Sequence, residues 1–135
     1  MCDSKAATAG ANPALARVLI VDDLPELRRL WRREFESAGY DAVEAPNGKV
    51  ALELVAAGRF DLVVSDVRMP QMDGLSLLRI LHEQEPSLPV VLVTGSPDSN
   101  SAAQARELGA FDFLEKPLSF ERLLRVAVHA LRAHA

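Results

Sequence analysis

Short apolar runs alternate along the chain with longer segments in which apolar residues recur at helical spacing. The runs that end at Asp66 and Thr94 are almost continuously apolar or small, and each closes on a polar residue. Runs of this length and composition are typical of strands buried on both faces of a parallel sheet. Together with weaker runs they predict five strands: 17–21, 41–45, 61–66, 89–94 and 111–115.

The segments between the runs predict helices. Pro25 suits a first helical turn and Ser119 is a favourable N-cap, while Gly39, Gly58 and Gly109 follow segments as stop signals. The predicted helices span 25–38, 49–57, 75–85, 99–108 and 120–131. In the first helix, the stripe expected to face the sheet comprises Leu27, Leu30, Trp31, Phe35 and Ala38.

Each predicted strand is followed by a predicted helix, and this alternation indicates one α/β domain. Its sheet is expected to be parallel and doubly wound, with right-handed crossovers and helices on both faces. The domain is expected to span 17–134. Residues 1–16 are rich in small and polar residues without a period, which predicts a disordered lead-in.

Composition and charge narrow the classes of function. Apolar residues make up 49% of the chain and charged residues 25%, as in soluble globular proteins. The net charge of −4 and the lack of a basic stripe argue against direct contact with nucleic acid. Four arginines of the first helix are expected to form a solvated face rather than a phosphate-binding patch: Arg28, Arg29, Arg32 and Arg33.

The cellular compartment is inferred from features that the sequence lacks. No apolar run approaches the roughly 18 to 20 residues needed to span a bilayer, so no membrane association is expected. Residues 1–5 do not show the basic and then apolar pattern of a signal peptide. Cys2 is the single cysteine, which excludes an internal disulfide and fits a reducing compartment. These features predict a cytoplasmic protein.

Polar residues end four of the predicted strands: Asp22-Asp23, Asp66, Thr94 and Lys116. In a doubly wound sheet these ends meet at the edge where ligands bind. Packed carboxylates repel one another unless a cation compensates, and a cluster of hard oxygen ligands suits Mg²⁺. A lysine and a hydroxyl would satisfy the oxygens of a bound phosphoryl group. Each residue alone has an ordinary structural explanation, but their joint placement favours a site that binds Mg²⁺ and a phosphoryl group.

These residues, in this order, resemble the receiver domain of two-component response regulators over residues 17–131. The matching motifs are Asp22-Asp23, Asp66 with Met69-Pro70 and Asp73-Gly74 behind it, Thr94-Gly95 and Lys116-Pro117. The resemblance implies a flavodoxin-like five-stranded parallel sheet in the order 2-1-3-4-5, with five helices on both faces. It also implies a cis peptide bond between Lys116 and Pro117, an isomer accessible at low cost only before proline.

The same resemblance implies a role for each residue of the site. Asp66 would accept a phosphoryl group from a phosphohistidine on a sensor histidine kinase or phosphotransfer protein. Asp23, Asp66 and the backbone carbonyl of Arg68 would bind Mg²⁺ directly, and Asp22 would hold a metal-bound water. Lys116 would pair with Asp66 at rest and with the phosphoryl oxygens after transfer.

The resemblance also implies how phosphorylation is reported. The hydroxyl of Thr94 and an aromatic residue of the fifth strand would form the switch, with Phe113 as the matching aromatic and Phe111 as the alternative. Arg68 and Ser96 would flank the phosphoryl site and influence the lifetime of the group. The output would be a population shift on the face of the fourth helix, fifth strand and fifth helix, which is also a candidate homodimer contact.

The resulting hypothesis is a phosphoprotein of a phosphorelay rather than an enzyme, with slow hydrolysis of its phosphoaspartate. Any output domain or activity would lie beyond residue 135. Dehalogenase-type aspartate enzymes would need a second aspartate two residues after Asp66, where the chain has Arg68. Two alternatives stay open. One is a flavodoxin-like cofactor-binding protein, disfavoured by the acidic loop after strand one, and the other is a receiver-like interaction domain that works without phosphate.

Overall fold

The computed structural model describes residues 15–95 and 99–133. Its strands are β1 (Arg17–Val21), β2 (Asp41–Ala45), β3 (Leu62–Asp66), β4 (Val90–Thr94) and β5 (Asp112–Glu115). Its helices are α1 (Pro25–Ser37), α2 (Gly48–Ala57), α3 (Gly74–Gln84), α4 (Ser99–Glu107) and α5 (Phe120–Ala133). The predicted lead-in at 1–16 lies outside the described residues except for its last two, and Ser96 lies outside them as well.

Within the described residues the strands form one parallel sheet in the order β2-β1-β3-β4-β5, so the predicted order 2-1-3-4-5 is confirmed. In the register, Val21 of β1 lies opposite Ser65 of β3, and Asp66 lies opposite Val93 of β4. Because all strands run in the same direction, their carboxyl ends share one edge. That edge carries the aspartates singled out in the sequence.

Alternate residues of β1 face opposite sides of the sheet, as the strand period of two requires. Val18 and Ile20 belong to a core that contains residues of α1 and α5, whereas Leu19 and Val21 belong to a core with residues of α2, α3 and α4. All four are essentially inaccessible to solvent. The expected placement of helices on both faces is therefore confirmed.

Local signals set the helix starts. Pro25 occupies the first turn of α1, as predicted. Asn47, Asp73 and Ser119 each accept a hydrogen bond from the N–H three residues later, at the starts of α2, α3 and α5. A side-chain cap of this kind is worth about 1 kcal/mol. None of the described helices is long and apolar enough to cross a bilayer.

The stripe predicted for α1 is partly wrong. Trp31 and Phe35 are buried as expected, but Leu30 is 49% exposed. At about 100° per residue, Leu30 lies about 140° from Phe35 around the helix, and so outside the buried face. Ala38 is exposed because it caps the end of α1 rather than continuing it.

Candidate functional site

Three aspartates converge at the carboxyl edge of the sheet. Asp22 and Asp23 follow β1, and Asp66 ends the neighbouring β3. One carboxylate oxygen from each of the three lies within 4.8 Å of the others. Asp22 and Asp66 are only 2% and 8% exposed, so the cluster is largely withdrawn from water.

Lys116 approaches this cluster from the end of β5. Its Nζ lies 3.3 Å from Oδ2 of Asp66 and 3.5 Å from Oδ2 of Asp22. The backbone N–H of Lys116 donates to the carbonyl of Thr94 at 2.8 Å, and the peptide bond between Lys116 and Pro117 is cis. The ammonium group thus contacts two of the three clustered carboxylates, and the cluster keeps an excess of negative charge.

The pKa of Asp22 reflects both its burial and this excess of negative charge. Burial raises the pKa of Asp22, and the neighbouring carboxylates of Asp66 and Asp23 act in the same direction. A hydrogen bond from the Leu24 N–H at 2.9 Å and the charge of Lys116 oppose that rise. A cation would relieve the remaining repulsion. The oxygen-only donors of this cluster fit Mg²⁺, which prefers carboxylates and water.

The chain behind Asp66 folds back closely on it. The Arg68 N–H donates to Oδ1 of Asp66 at 3.3 Å, while the Arg68 side chain is exposed. A β carbon on Gly74 would lie 2.4 Å from the Asp66 carbonyl oxygen, so α3 can begin here only with glycine. Between them, Gln71 adopts a φ of 72°, in the left-handed region that non-glycine residues seldom occupy.

The two proposed switch residues lie at neighbouring strands. Thr94 ends β4, the strand next to Asp66, and is 1% exposed. Phe113 is partly buried and packs on the core shared by α2, α3 and α4. Phe111 packs on the opposite core, with its ring centroid 5.9 Å from that of His129.

The structure assigns contacts to two arginines of α1 that the sequence did not single out: Arg28 holds the acidic loop, and Arg32 shares the glutamate that Arg28 bonds. Arg28 donates from Nη1 to the main-chain carbonyl of Asp22 at 2.9 Å and from Nε to Oε1 of Glu44 at 2.8 Å. Arg32 bonds the other oxygen of Glu44 at 2.6 Å. The signal was present as two arginines at i and i+4 on the helix that precedes the strand carrying Glu44.

The prediction of a fully solvated arginine face is therefore corrected. Arg29 and Arg33 are exposed, as expected, but Arg28 and Arg32 are partly buried and paired with Glu44. The stems of long side chains can cover apolar surface while their heads find partners. Here α1 lies against β2, and this packing brings half of the arginines into reach of Glu44.

Comparison with known proteins gives one consistent result. The family model of the response regulator receiver domain matches residues 18–128. The chain is 42% identical over 118 residues to the C4-dicarboxylate transport transcriptional regulatory protein DctD of Pseudomonas aeruginosa, covering 87% of this chain and 26% of that protein. It is 36% identical over 114 residues to the DNA-binding transcriptional regulator NtrC of Escherichia coli, covering 84% and 24%.

Solved structures agree. The signal receiver domain of an HD domain-containing protein from Pseudomonas fluorescens Pf-5 matches with a TM-score of 0.86 and 32% identity, covering 90% of this chain and 98% of that one. The chain spans about a quarter of the length of the curated relatives named above. The chain belongs to the receiver domains of two-component response regulators.

Proposed function

We propose that this domain is a phosphorylation-controlled switch and that Asp66 is its phosphoacceptor. The supporting observation is the buried Asp66 carboxylate, which lies among two further carboxylates with the Lys116 ammonium 3.3 Å away. A carboxylate is a weak nucleophile, and nearby positive charge offsets the charge that develops on the transferred group. The donor would be a phosphohistidine on a sensor histidine kinase or phosphotransfer protein.

In the transfer, an oxygen of Asp66 forms a bond to phosphorus while the bond from phosphorus to the partner's imidazole nitrogen breaks. The electron pair of the broken bond stays with the imidazole. Lys116, which pairs with Asp66 at rest, would then pair with a phosphoryl oxygen. Slow attack of water on the acyl phosphate would return the carboxylate, so the domain is an acceptor rather than an enzyme that turns over.

Mg²⁺ is the proposed cofactor. Asp23, Asp66 and the backbone carbonyl of Arg68 would hold it directly, with Asp22 acting through a water molecule. When bound, Mg²⁺ would neutralise the carboxylates and the oxygens of the incoming phosphoryl group. The clustered carboxylates and the raised pKa of Asp22 support this assignment.

The switch would run from the pocket to one side of the domain. Thr94 would bond the phosphoryl group and Phe113 would repack, which would shift the population of conformations on the face formed by α4, β5 and α5. That face would contact an output domain, a partner, or a second copy of the chain. Arg68, exposed beside the pocket, and Ser96 would tune the lifetime of the phosphoryl group.

The signal would be read by an output domain beyond residue 135. The chain covers about a quarter of relatives whose names describe transcriptional regulators, which supports an output acting on transcription. The receiver domain itself is acidic, with a net charge of −4, so any contact with DNA would belong to the output domain. Such a protein would act in the cytoplasm.

The test is the intact mass of the protein after incubation with acetyl phosphate and Mg²⁺. The wild type is expected to gain one phosphoryl group, and Asp66→Asn is expected to gain none. Asp73→Asn is the matched control, because Asp73 is an exposed aspartate near the site that caps α3 and asparagine also caps helices. It should be phosphorylated like the wild type, and chelation of the metal should abolish every adduct.

An adduct that persists in Asp66→Asn would show that another residue is the acceptor. If the wild type gains no phosphoryl group and beryllofluoride with Mg²⁺ also fails to bind, the phosphoacceptor proposal is wrong. The domain would then be a receiver-like interaction module that works without phosphate.

A further inference from the structure

The loop that carries Asp22 and Asp23 is held from outside the acidic cluster. The guanidinium of Arg28 donates to the main-chain carbonyl of Asp22 at 2.9 Å and to Glu44 at 2.8 Å. We propose that Arg28 is a positioning residue for the magnesium site, acting through the peptide that joins Asp22 to Asp23. This inference rests on the proposed function, since it requires a cation at the cluster.

The planarity of the peptide explains how Arg28 acts at a distance. The carbonyl of Asp22 and the N–H of Asp23 lie in one plane, so a bond that fixes the carbonyl also fixes the plane between the two aspartates. The N–H of Asp22 donates to the carbonyl of Ala45 in β2 at 3.2 Å. Asp22 is therefore held on both sides of its α carbon, by β2 and by Arg28.

Glu44 fixes Arg28 in turn. The side chains of Arg28 and Glu44 are only 16% and 22% exposed, and Arg32 occupies the second oxygen of Glu44 at 2.6 Å. Burial alone would raise the pKa of Glu44, but the bonds from Arg28 and Arg32 outweigh it and lower that pKa. Glu44 is thus ionised at neutral pH, and the two arginines share it.

The charge of Arg28 and its hydrogen bond have opposite effects on a bound cation. As a positive charge near the cluster, Arg28 repels Mg²⁺, so loss of the charge alone would strengthen binding. As a bond to the Asp22 carbonyl, Arg28 orients the ligands, so loss of the bond would weaken binding. The sign of the change in affinity therefore separates positioning from simple electrostatics.

Arg32 provides the matched control. It lies on the same helix, carries the same charge and bonds the same glutamate, but it makes no described bond to Asp22. The experiment is a titration of the 135-residue chain with Mg²⁺, followed by the backbone amide signals of the loop after β1. Arg28→Gln is expected to raise the Kd for Mg²⁺ about tenfold, as loss of a group that orients a metal ligand typically does. Arg32→Gln should change it by less than about twofold.

Circular dichroism shows whether each variant is folded. If Arg28→Gln does not fold, Arg28→Lys decides, because lysine keeps the charge but lacks the planar fork that reaches both partners. Arg28→Lys is expected to weaken Mg²⁺ binding by a smaller factor, and an unchanged Kd would overturn the inference.

Three outcomes contradict positioning by Arg28. A folded Arg28→Gln that binds Mg²⁺ as tightly as the wild type, or more tightly, shows that the bond to Asp22 does not matter. Equal weakening in Arg28→Gln and Arg32→Gln shows a general loosening of α1. If the wild type itself does not bind Mg²⁺ at millimolar concentrations, the proposed magnesium site fails and this inference fails with it, whereas the first two outcomes leave the proposed function intact.

Discussion

The two edge strands of the sheet, β2 and β5, are packed against their neighbouring helices in different ways. On the α1–β2 side, the rings of Trp31 and Phe35 are buried and Arg28 and Arg32 share Glu44. On the α4–β5 side, Ala105 is the one buried side chain among those of α4 that the structure describes. Large rings and partly buried ion pairs fix the first side, whereas α4 on the second side is anchored by a small side chain.

This difference in packing matches the function proposed for each side. The α1–β2 side carries the acidic loop, whose geometry would have to be ready before the proposed transfer of a phosphoryl group. The α4–β5 side is where the proposed output would shift between conformations. Segments with few buried apolar contacts open locally at low free energy. The domain thus combines a firmly packed α1–β2 side with a loosely packed α4, as the proposed binding site and output face would require.

The largest effect is expected from the core of the α1–β2 side. Phe35 is fully buried and meets the rings of Tyr40 and Phe120 edge-on, at 5.8 and 5.0 Å between centroids. Phe35→Ala should lower the free energy of unfolding by about 3–5 kcal/mol, measured by urea denaturation. Leu108→Ala is the counterpart beside α4. Because Leu108 is only partly buried, its truncation should cost about 1–3 kcal/mol. Equal costs at the two positions would contradict the comparison.

A second pair of variants compares the turns that end α1 and α4. Gly39 and Gly109 have φ values of 98° and 94°, which favour glycine. A β carbon on Gly39 would meet nothing within 4 Å, whereas one on Gly109 would lie 2.7 Å from Cε1 of His82. Gly39→Ala should lower the free energy of unfolding by about 1–2 kcal/mol, because alanine is strained in the left-handed backbone conformation. Gly109→Ala should lower the free energy of unfolding only slightly more, because the exposed ring of His82 can turn away from the new β carbon, and His82→Ala in the same chain should remove that excess.

Urea denaturation of the single and double variants gives this coupling directly. If Gly109→Ala costs no more than Gly39→Ala, the contact between α3 and the end of α4 yields freely. That result would agree with loose packing on the α4–β5 side, whereas a large excess at Gly109 would show a firmly held contact there and contradict the comparison.

The smallest expected effect is a pH dependence of the stability that the ion pairs of Glu44 provide on the α1–β2 side. Burial alone would raise the pKa of Glu44, but its bonds to Arg28 and Arg32 lower it below the ordinary 4.5. The stability from these ion pairs is therefore full above that value and is lost as the pH falls through the lower pKa of the folded state. The difference in unfolding free energy between the wild type and Glu44→Gln should shrink as the pH drops below 4.5.

The control for the pH experiment is Glu53→Gln, which removes an exposed carboxylate of α2. Its difference from the wild type should stay small throughout, as is usual for surface charges. A Glu44→Gln difference that does not change with pH would show that the network contributes no net stability.

The sequence allowed the sheet order, the helix starts and the convergence of the three aspartates to be predicted. The helix starts and the convergence depend on local periodicity, on caps such as Ser119 and on the geometric rule that parallel strands end at one edge. The sheet order came from the resemblance to receiver domains. The bond from Arg28 to Asp22 was not predictable, because it depends on how α1 docks on β1 and β2 together. The left-handed φ of Gln71 was hidden for a similar reason, since nothing in the residue type signals it.

The close approach of α3 to Asp66 limits how sequences of this kind can diverge. A side chain at position 74 would have to displace either the helix or the strand end, because even a β carbon would sit 2.4 Å from a main-chain oxygen. Arg68, by contrast, is exposed beside the pocket and meets no such limit. In a saturation library selected for folding, position 74 should therefore return glycine alone, while position 68 accepts many residues. Substitutions in such a library should therefore gather at the rim of the pocket, whereas the glycine at its floor should stay fixed.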